Sequence, residues 1–349
     1  MGCACFASAL FILSGKERER KMKKTFFVAL VALITVLGLS SCSRLLLLLH
    51  RDANDDHICD NCGEPFIDGV DIPTNLESSE GLHFVLNEDK ASYTLKSIGV
   101  CSERDIKIGL YEGLPVTAIG DYAFLDCSYL TSVTVGDSVT SIGNYAFSDC
   151  SGITSVTISN SVETIGERAF SSCFNLSELT LGNSLTSIGN SAFANCSSLT
   201  GVTIPDSVET MGEGAFTSCY KLSALTLGNS LTSIGNYAFQ YCFNLTSITI
   251  PDSVETIGEG AFTSCYKLSA LTLGNSMTSI SDYAFYDCNS LISVTIPDSV
   301  ETIGKWAFLN CSNLSEVNLG NSLTSVGNSA FAKCSSLTSV TIPDKLRIQ

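Results

Sequence analysis

CFNLSELTLGNSLTSIGNSAFANCSSLTGVTIPDSVETMGEGAFTSC, residues 173–219, is one unit written twice. Its cysteines, Cys173, Cys196 and Cys219, stand 23 residues apart, as do Phe193 and Phe216, each preceded by alanine. Outward from this stretch the same step of 23 carries cysteine through Cys127, Cys150, Cys242, Cys265, Cys288, Cys311 and Cys334, and phenylalanine from Phe124 to Phe331. Units of the type TLGNSLTSIGN alternate with units of the type TIPDSVETIGE, which lays a period of 46 over the first. Residues 204–230 and 250–276 differ only at Met211 and Ile257, so the array grew by duplication of pairs. Self-similarity at a fixed period of roughly 20 to 50 residues is the signature of a solenoid.

Within one unit, Leu179 and Leu181 are two apart and share one face of a short strand. Gly182-Asn183-Ser184, or Pro205-Asp206-Ser207 in the other type, supplies the turn that ends it. Leu185 and Ile188 form a second apolar pair, and Gly189 allows a reversal of the backbone. Asn190 to Cys196 then predicts a short helical or 3₁₀ turn with Phe193 pointing inward. Leu176, Leu179, Leu181, Leu185, Ile188 and Phe193 are the expected core of the unit. Ordering the backbone of 23 residues costs more than six buried side chains return, so a coil needs neighbours to fold.

The chain has 349 residues with 19 Lys+Arg against 35 Asp+Glu. Residues 1–51 hold 8 of the basic and 2 of the acidic side chains, leaving 11 against 33 in the remainder, a net charge of -22. Phosphate binding needs clustered cations, so a nucleic-acid partner is excluded. His50, His57 and His83 are the only histidines, and none lies in the array, which lacks the commonest general base. With no clustered acid, base or nucleophile there, the sequence reads as a non-enzyme without a cofactor.

The columns of the array are the candidates for function. The column after the cysteine is usually serine but becomes Phe174, Tyr220, Phe243 and Tyr266, with Tyr241, Lys221 and Lys267 near in sequence. Three of these aromatics fall on consecutive coils and predict a stripe at the edge of the solenoid; aromatics are enriched at binding hot spots. Phe174, Tyr220, Tyr241, Phe243 and Tyr266 are therefore the candidate ligand-binding residues, with shielding of the Phe-Cys layer as the structural alternative. Glu163, Glu209, Glu255 and Glu301 recur on every second coil as a solvated acidic face. The cysteine column reads as reduced thiols filling the core, because parallel Cβ vectors strain a bridge between neighbours.

Ahead of the array, MKKTFFVALVALITVLGLSSC, from Met22 to Cys42, has the charged, apolar and small-residue order of a secretory signal. Leu39-Ser40-Ser41-Cys42 resembles a lipobox, which would make Cys42 an acylated amino terminus. An uncleaved anchor is the alternative, although the apolar run is short of the roughly 20 residues that a span needs. Residues 1–21 read as an upstream extension before the true start at Met22, and 42–80 as a tether. Asp52, Asn54, Asp56 and Asp60 fit part of a calcium loop, but His57 replaces its glycine and Gly63 its final Glu. His57, Cys59 and Cys62 supply three zinc ligands without the usual second pair, so they are weak metal candidates beside a local disulfide or a plain linker.

The unit C-s-x-L-t-s-V-t-I-p-d-S-V-t-s-I-G-x-x-A-F-x-x closely resembles the BspA-like class of leucine-rich repeats, bacterial surface proteins related to treponemal ones. Residues 81–117, with GLHFVLNEDKASYTLKSIGV and DIKIGLYEGLPV, resemble the segment that opens such arrays, and 118–349 hold ten repeats. The resemblance implies a leucine-rich repeat solenoid with parallel-strand coils and an N-terminal β cap. TIPDKLRIQ stops within a unit with Lys345 in the serine column, so the C-terminal cap is expected to be missing: either the gene is truncated or the last edge is left open, which favours end-to-end self-association. It also implies a protein of the cell surface or outer membrane, touching the membrane only through its lipid anchor, or else secreted. Its expected role is adhesion to a protein or glycan on another cell or on matrix; a structural, self-associating spacer without a specific ligand is the alternative.

Overall fold

The computed structural model describes residues 76–343 and Leu346. The extension at 1–21, the signal at 22–41, Cys42, the His57, Cys59 and Cys62 cluster, most of the tether and Lys345 lie outside the described residues. Each 23-residue unit is one coil of a parallel β-solenoid. A cap opens it: β1 (His83–Leu86) pairs antiparallel with β2 (Tyr93–Ser97), which runs parallel to β5 (Leu114–Ile119). Between them, β3 (Asp105–Ile108) starts the long-strand ladder and β4 (Leu110–Tyr111) folds back on β5. Phe84 and Tyr111 stack at 4.2 Å and fix the hairpin against the cap.

Every coil contributes a short strand, such as Ser187–Ile188, to one 13-stranded sheet that runs unbroken to Ser325–Val326. The longer strands behave differently. Asp105–Ile108, Ser132–Val135, Ser155–Ile158 and Glu178–Thr180 form one sheet, after which the ladder splits into three two-stranded pieces. Each break lies just before a coil carrying Pro205, Pro251 or Pro297, a residue with no N–H to donate to the coil before it. Pairing resumes on the other side, where Ile204 and Ile250 donate to the Thr226 and Thr272 carbonyls at 2.9 Å.

This break corrects the expected core. Leu179 is only half-buried, because it lines a shallow cleft of about 400 Å³ between its coil and that of Val202 and Pro205. Leu176, Leu181, Leu185, Ile188 and Phe193 are buried as expected. The ten phenylalanines from Phe124 to Phe331 form one continuous stack with centroids 4.7 to 5.6 Å apart.

The segment around each Ala-Phe pair is not helical, against the expected helical or 3₁₀ turn. Arg168, Phe170 and Ser172 donate their N–H groups to Asn190, Ala192 and Ala194 of the next coil at 2.7 to 2.8 Å. Ala169 and Ser171 bond backwards within their own coil, to Gly166 and Arg168. A helix needs every successive N–H to point backwards, so this alternation replaces it with stacked turns. The alternation is set by left-handed residues before each Ala-Phe pair and before each cysteine, for example Arg168 at φ 52° and Ser172 at φ 60°.

The glycine that follows each short strand is required by close approach. A Cβ on Gly258 would lie 2.5 Å from the backbone nitrogen of Asn236. Ser281 is the exception in that column, although its short strand still pairs with the preceding one, Ile280 beside Ile257. Its Oγ donates to the Ile257 carbonyl at 2.5 Å, and neither its N–H nor that of Thr278 reaches the preceding coil. In the neighbouring coils Gly258 donates to Ile234 at 2.8 Å and Glu255 to Thr232 at 2.9 Å. The hydroxyl of Ser299, on the following coil, is buried without a partner.

Candidate binding surface

The stripe is built from the cysteine outward. Cys219, Cys242 and Cys265 are buried, and each donates its Sγ to a phenylalanine carbonyl of the preceding coil: Phe193 at 3.3 Å, Phe216 at 3.4 Å and Phe239 at 3.4 Å. With the thiol held inward, the chain turns the next side chain out. All eleven cysteines among the described residues are unpaired and buried. Burial pushes the Cys173 and Cys219 thiols up to about 12, and the others from Cys150 to Cys311 are raised for the same reason. These thiols are inert filler, because the thiolate is the reactive form.

On this base the rings of Tyr220, Phe243 and Tyr266 stack face to face, with centroids 5.0 Å apart at each step and planes within 9°. Tyr241, in left-handed conformation at φ 63°, meets Phe243 edge-on at 5.9 Å. Tyr220, Tyr241 and Tyr266 are about two-fifths exposed. Phe174 is 48% exposed but stands apart from the cluster, since Ser197 occupies the column on the intervening coil. The structure thus joins four of the five candidate residues. A polar rail runs beside the rings: Asn244 Nδ2 donates to the Tyr220 carbonyl at 3.0 Å and accepts from Lys267 Nζ at 2.7 Å through its Oδ1. Face-to-face packing hides the ring faces of Phe243, so the surface presents ring edges, tyrosine hydroxyls and two lysines.

A second aromatic column was not singled out from the sequence. It occupies the left-handed position before each Ala-Phe pair and includes Tyr122, Tyr145, Arg168, Tyr237, Tyr283 and Trp306. Tyr122 and Tyr145 stack at 5.1 Å, Arg168 sits 5.6 Å over Tyr145, and Tyr283 packs on Trp306 at 4.9 Å. Tyr237 donates to Glu259 at 2.6 Å, and that bond pushes its phenol up to about 12. Counting back one residue from Ala-Phe would have found it, but the residue type changes from coil to coil.

Among the described residues no group of three or more His, Cys, Asp or Glu is placed to hold a metal ion, and no helix is long and apolar enough to cross a membrane. Two shallow concavities are the cleft beside Leu179 and one of about 390 Å³ beside Ser281 and Asp282.

The same architecture occurs in solved structures. A leucine-rich repeat protein from Bacteroides ovatus is 24% identical, with a TM-score of 0.60 over 77% of this chain and 88% of that one. A leucine-rich cell surface protein from Faecalibacterium prausnitzii is 27% identical over 75% of this chain and 93% of that one, at a TM-score of 0.35. The leucine-rich repeat protein of T. pallidum is 23% identical over 75% and 90%, at a TM-score of 0.36. No curated protein sequence matches. The model of the BspA-type leucine-rich repeat region matches residues 117–246 and 232–349 in six copies, and with its 23-residue coils, phenylalanine stack and thiol column this chain belongs to that family.

Proposed function

We propose that this chain is a bacterial cell-surface binding protein, anchored through an acylated Cys42, that adheres to a protein or glycan on another cell or on matrix. The Tyr220, Phe243 and Tyr266 stack, with Tyr241, is the contact surface. The observation that carries this reading is the stack itself: Tyr220 and Tyr266, exposed on either side of a half-buried Phe243 on three successive coils, flanked by lysines in a chain otherwise rich in carboxylates. Exposed rings held by a rigid ladder lose little freedom on binding, which is why such residues dominate interface energetics. Membership of a family of bacterial surface repeats supports the location.

The test is binding of the purified full-length protein to immobilised matrix proteins and to whole cells, beside a Tyr220→Ser/Phe243→Ser/Tyr266→Ser variant whose circular dichroism matches the parent. Saturable binding lost in the variant is the expected result. Binding that survives in the variant removes the stripe as the site, and a parent that binds no surface removes the adhesive function.

A further inference from the structure

The two duplicated proline-type coils are electrically lopsided. Asp206, Glu209 and Glu213 lie within residues 206–213, and Asp252, Glu255 and Glu259 within 252–259. Residues 214–251 and 260–281 contain no carboxylate, and their only cations are Lys221 and Lys267, each following a stripe tyrosine. Glu209 and Lys221 are 12 residues apart in a coil of 23, about half the circuit, so the acidic arc and the aromatic-lysine stripe lie on opposite flanks. All four of Glu209, Lys221, Glu255 and Lys267 are exposed. Among the described residues no side-chain hydrogen bond or ion pair occupies the Glu209 or Glu255 carboxylate.

The flanks also share a spacing. Lys221 and Lys267 are 46 residues apart, as are Glu209 and Glu255, which is two coils in each case. Two coils span roughly 10 Å at parallel-strand separation. A second copy laid alongside in the same direction therefore brings both of its glutamates level with both lysines of the first. Because the stripe presents ring edges, whose hydrogens carry partial positive charge, it suits carboxylates along its length.

We propose that the Tyr220, Phe243 and Tyr266 stripe, with Lys221 and Lys267, docks laterally on the Glu209 and Glu255 flank of a second copy of this chain. The contact is heterologous, one flank against the other, so a pair keeps one free flank of each kind and the association extends as an open row. Individual exposed ion pairs are weak, and copies crowded on one surface would gain from effective concentration. This goes beyond the adhesive reading by giving its surface a second occupant, which a matrix ligand would displace.

Sedimentation equilibrium of the full-length protein tests it at about 0.15 M salt, where a screening length of about 8 Å damps repulsion between two acidic copies and leaves contact pairs. The average mass should rise with concentration. Lys221→Glu/Lys267→Glu and Glu209→Lys/Glu255→Lys should each weaken self-association by roughly tenfold or more. Mixing the two variants should restore mixed assembly, because the reversed stripe of one now faces the reversed flank of the other. Lys305→Glu/Lys333→Glu, which changes net charge equally away from the stripe, should associate like the parent. A parent that stays monomeric, association that Lys221→Glu/Lys267→Glu leaves unchanged, or a mixture that does not assemble overturns the proposal. Matrix binding scored on the same charge variants separates this outcome from failure of the adhesive reading, since the three stacked rings are kept.

Discussion

Raising the pH from 8 to 10 should destabilise the array through its thiols, by an amount that the structure sets. A thiol titrates near 8.5 to 9 in an unfolded chain, whereas burial pushes Cys173 and Cys219 up to about 12. The folded-state value is the raised one. Each thiol's contribution is therefore fully present below about pH 8.5 and is lost as pH climbs towards 12, because only the unfolded chain can release the proton. Between pH 8 and pH 10 each such group forfeits about 1 to 2 kcal/mol. The eight thiols from Cys150 to Cys311 share this direction. The assay is urea unfolding followed by circular dichroism under reducing conditions, for the parent and Cys219→Ala. The parent midpoint should fall steeply above pH 9, and the gap between parent and variant should shift by about 1 to 2 kcal/mol in favour of the variant between pH 8 and pH 10. Parallel pH profiles for the two proteins would refute the claim that Cys219 titrates in a buried site.

Three further outcomes follow from the same coils. Gly258→Ala should push its coil away from the Asn236 backbone, which the new Cβ would meet at 2.5 Å; losing the Gly258 and Glu255 backbone bonds, less the gain from a stiffer unfolded chain, should cost about 1 to 2 kcal/mol, and faster amide exchange at Gly258 locates the effect. Phe239→Ala removes a ring stacked at 5.6 and 5.4 Å between Phe216 and Phe262, and should cost about 3 to 5 kcal/mol in urea unfolding. Alkylation at pH 8 followed by mass spectrometry should modify Cys101, Cys127 and Cys334, which are 7 to 8% exposed, before any cysteine from Cys150 to Cys311, and all of them together once urea is added.

What the sequence made legible is what repeats without variation. Phenylalanine and cysteine at a step of 23 specified the coil, the inward ring and the buried thiol, because only a stacked unit keeps one residue in one environment ten times. The Tyr220, Phe243 and Tyr266 stack was legible by the same count, and so, by the serine at 197, was the isolation of Phe174. What escaped depends on relations between coils. Alternating N–H directions around Arg168 to Ser172 come from left-handed residues that no single-coil pattern marks, so a helical turn was the natural expectation there. The half-exposure of Leu179 depends on Pro205, which lies on the next coil.

Duplication explains the spacing on both flanks with one event. Copying two coils moves every side chain by 46 residues, so any charge on the copied unit recurs at two-coil intervals wherever it sits on the circuit. Matching periods for Lys221 and Lys267 and for Glu209 and Glu255 are therefore a consequence of copying. What copying does not supply is the division of charge within the unit, with three carboxylates in 206–213 and a lone lysine beside Tyr220 in the carboxylate-free remainder. A unit with its charges scattered would have produced equally regular columns and no complementary faces. The lopsided coil makes the regularity usable: it turns a repeat that the core requires into two ladders of opposite character, and the tyrosines of one ladder stand where the polar shell of the solenoid is thinnest in acids.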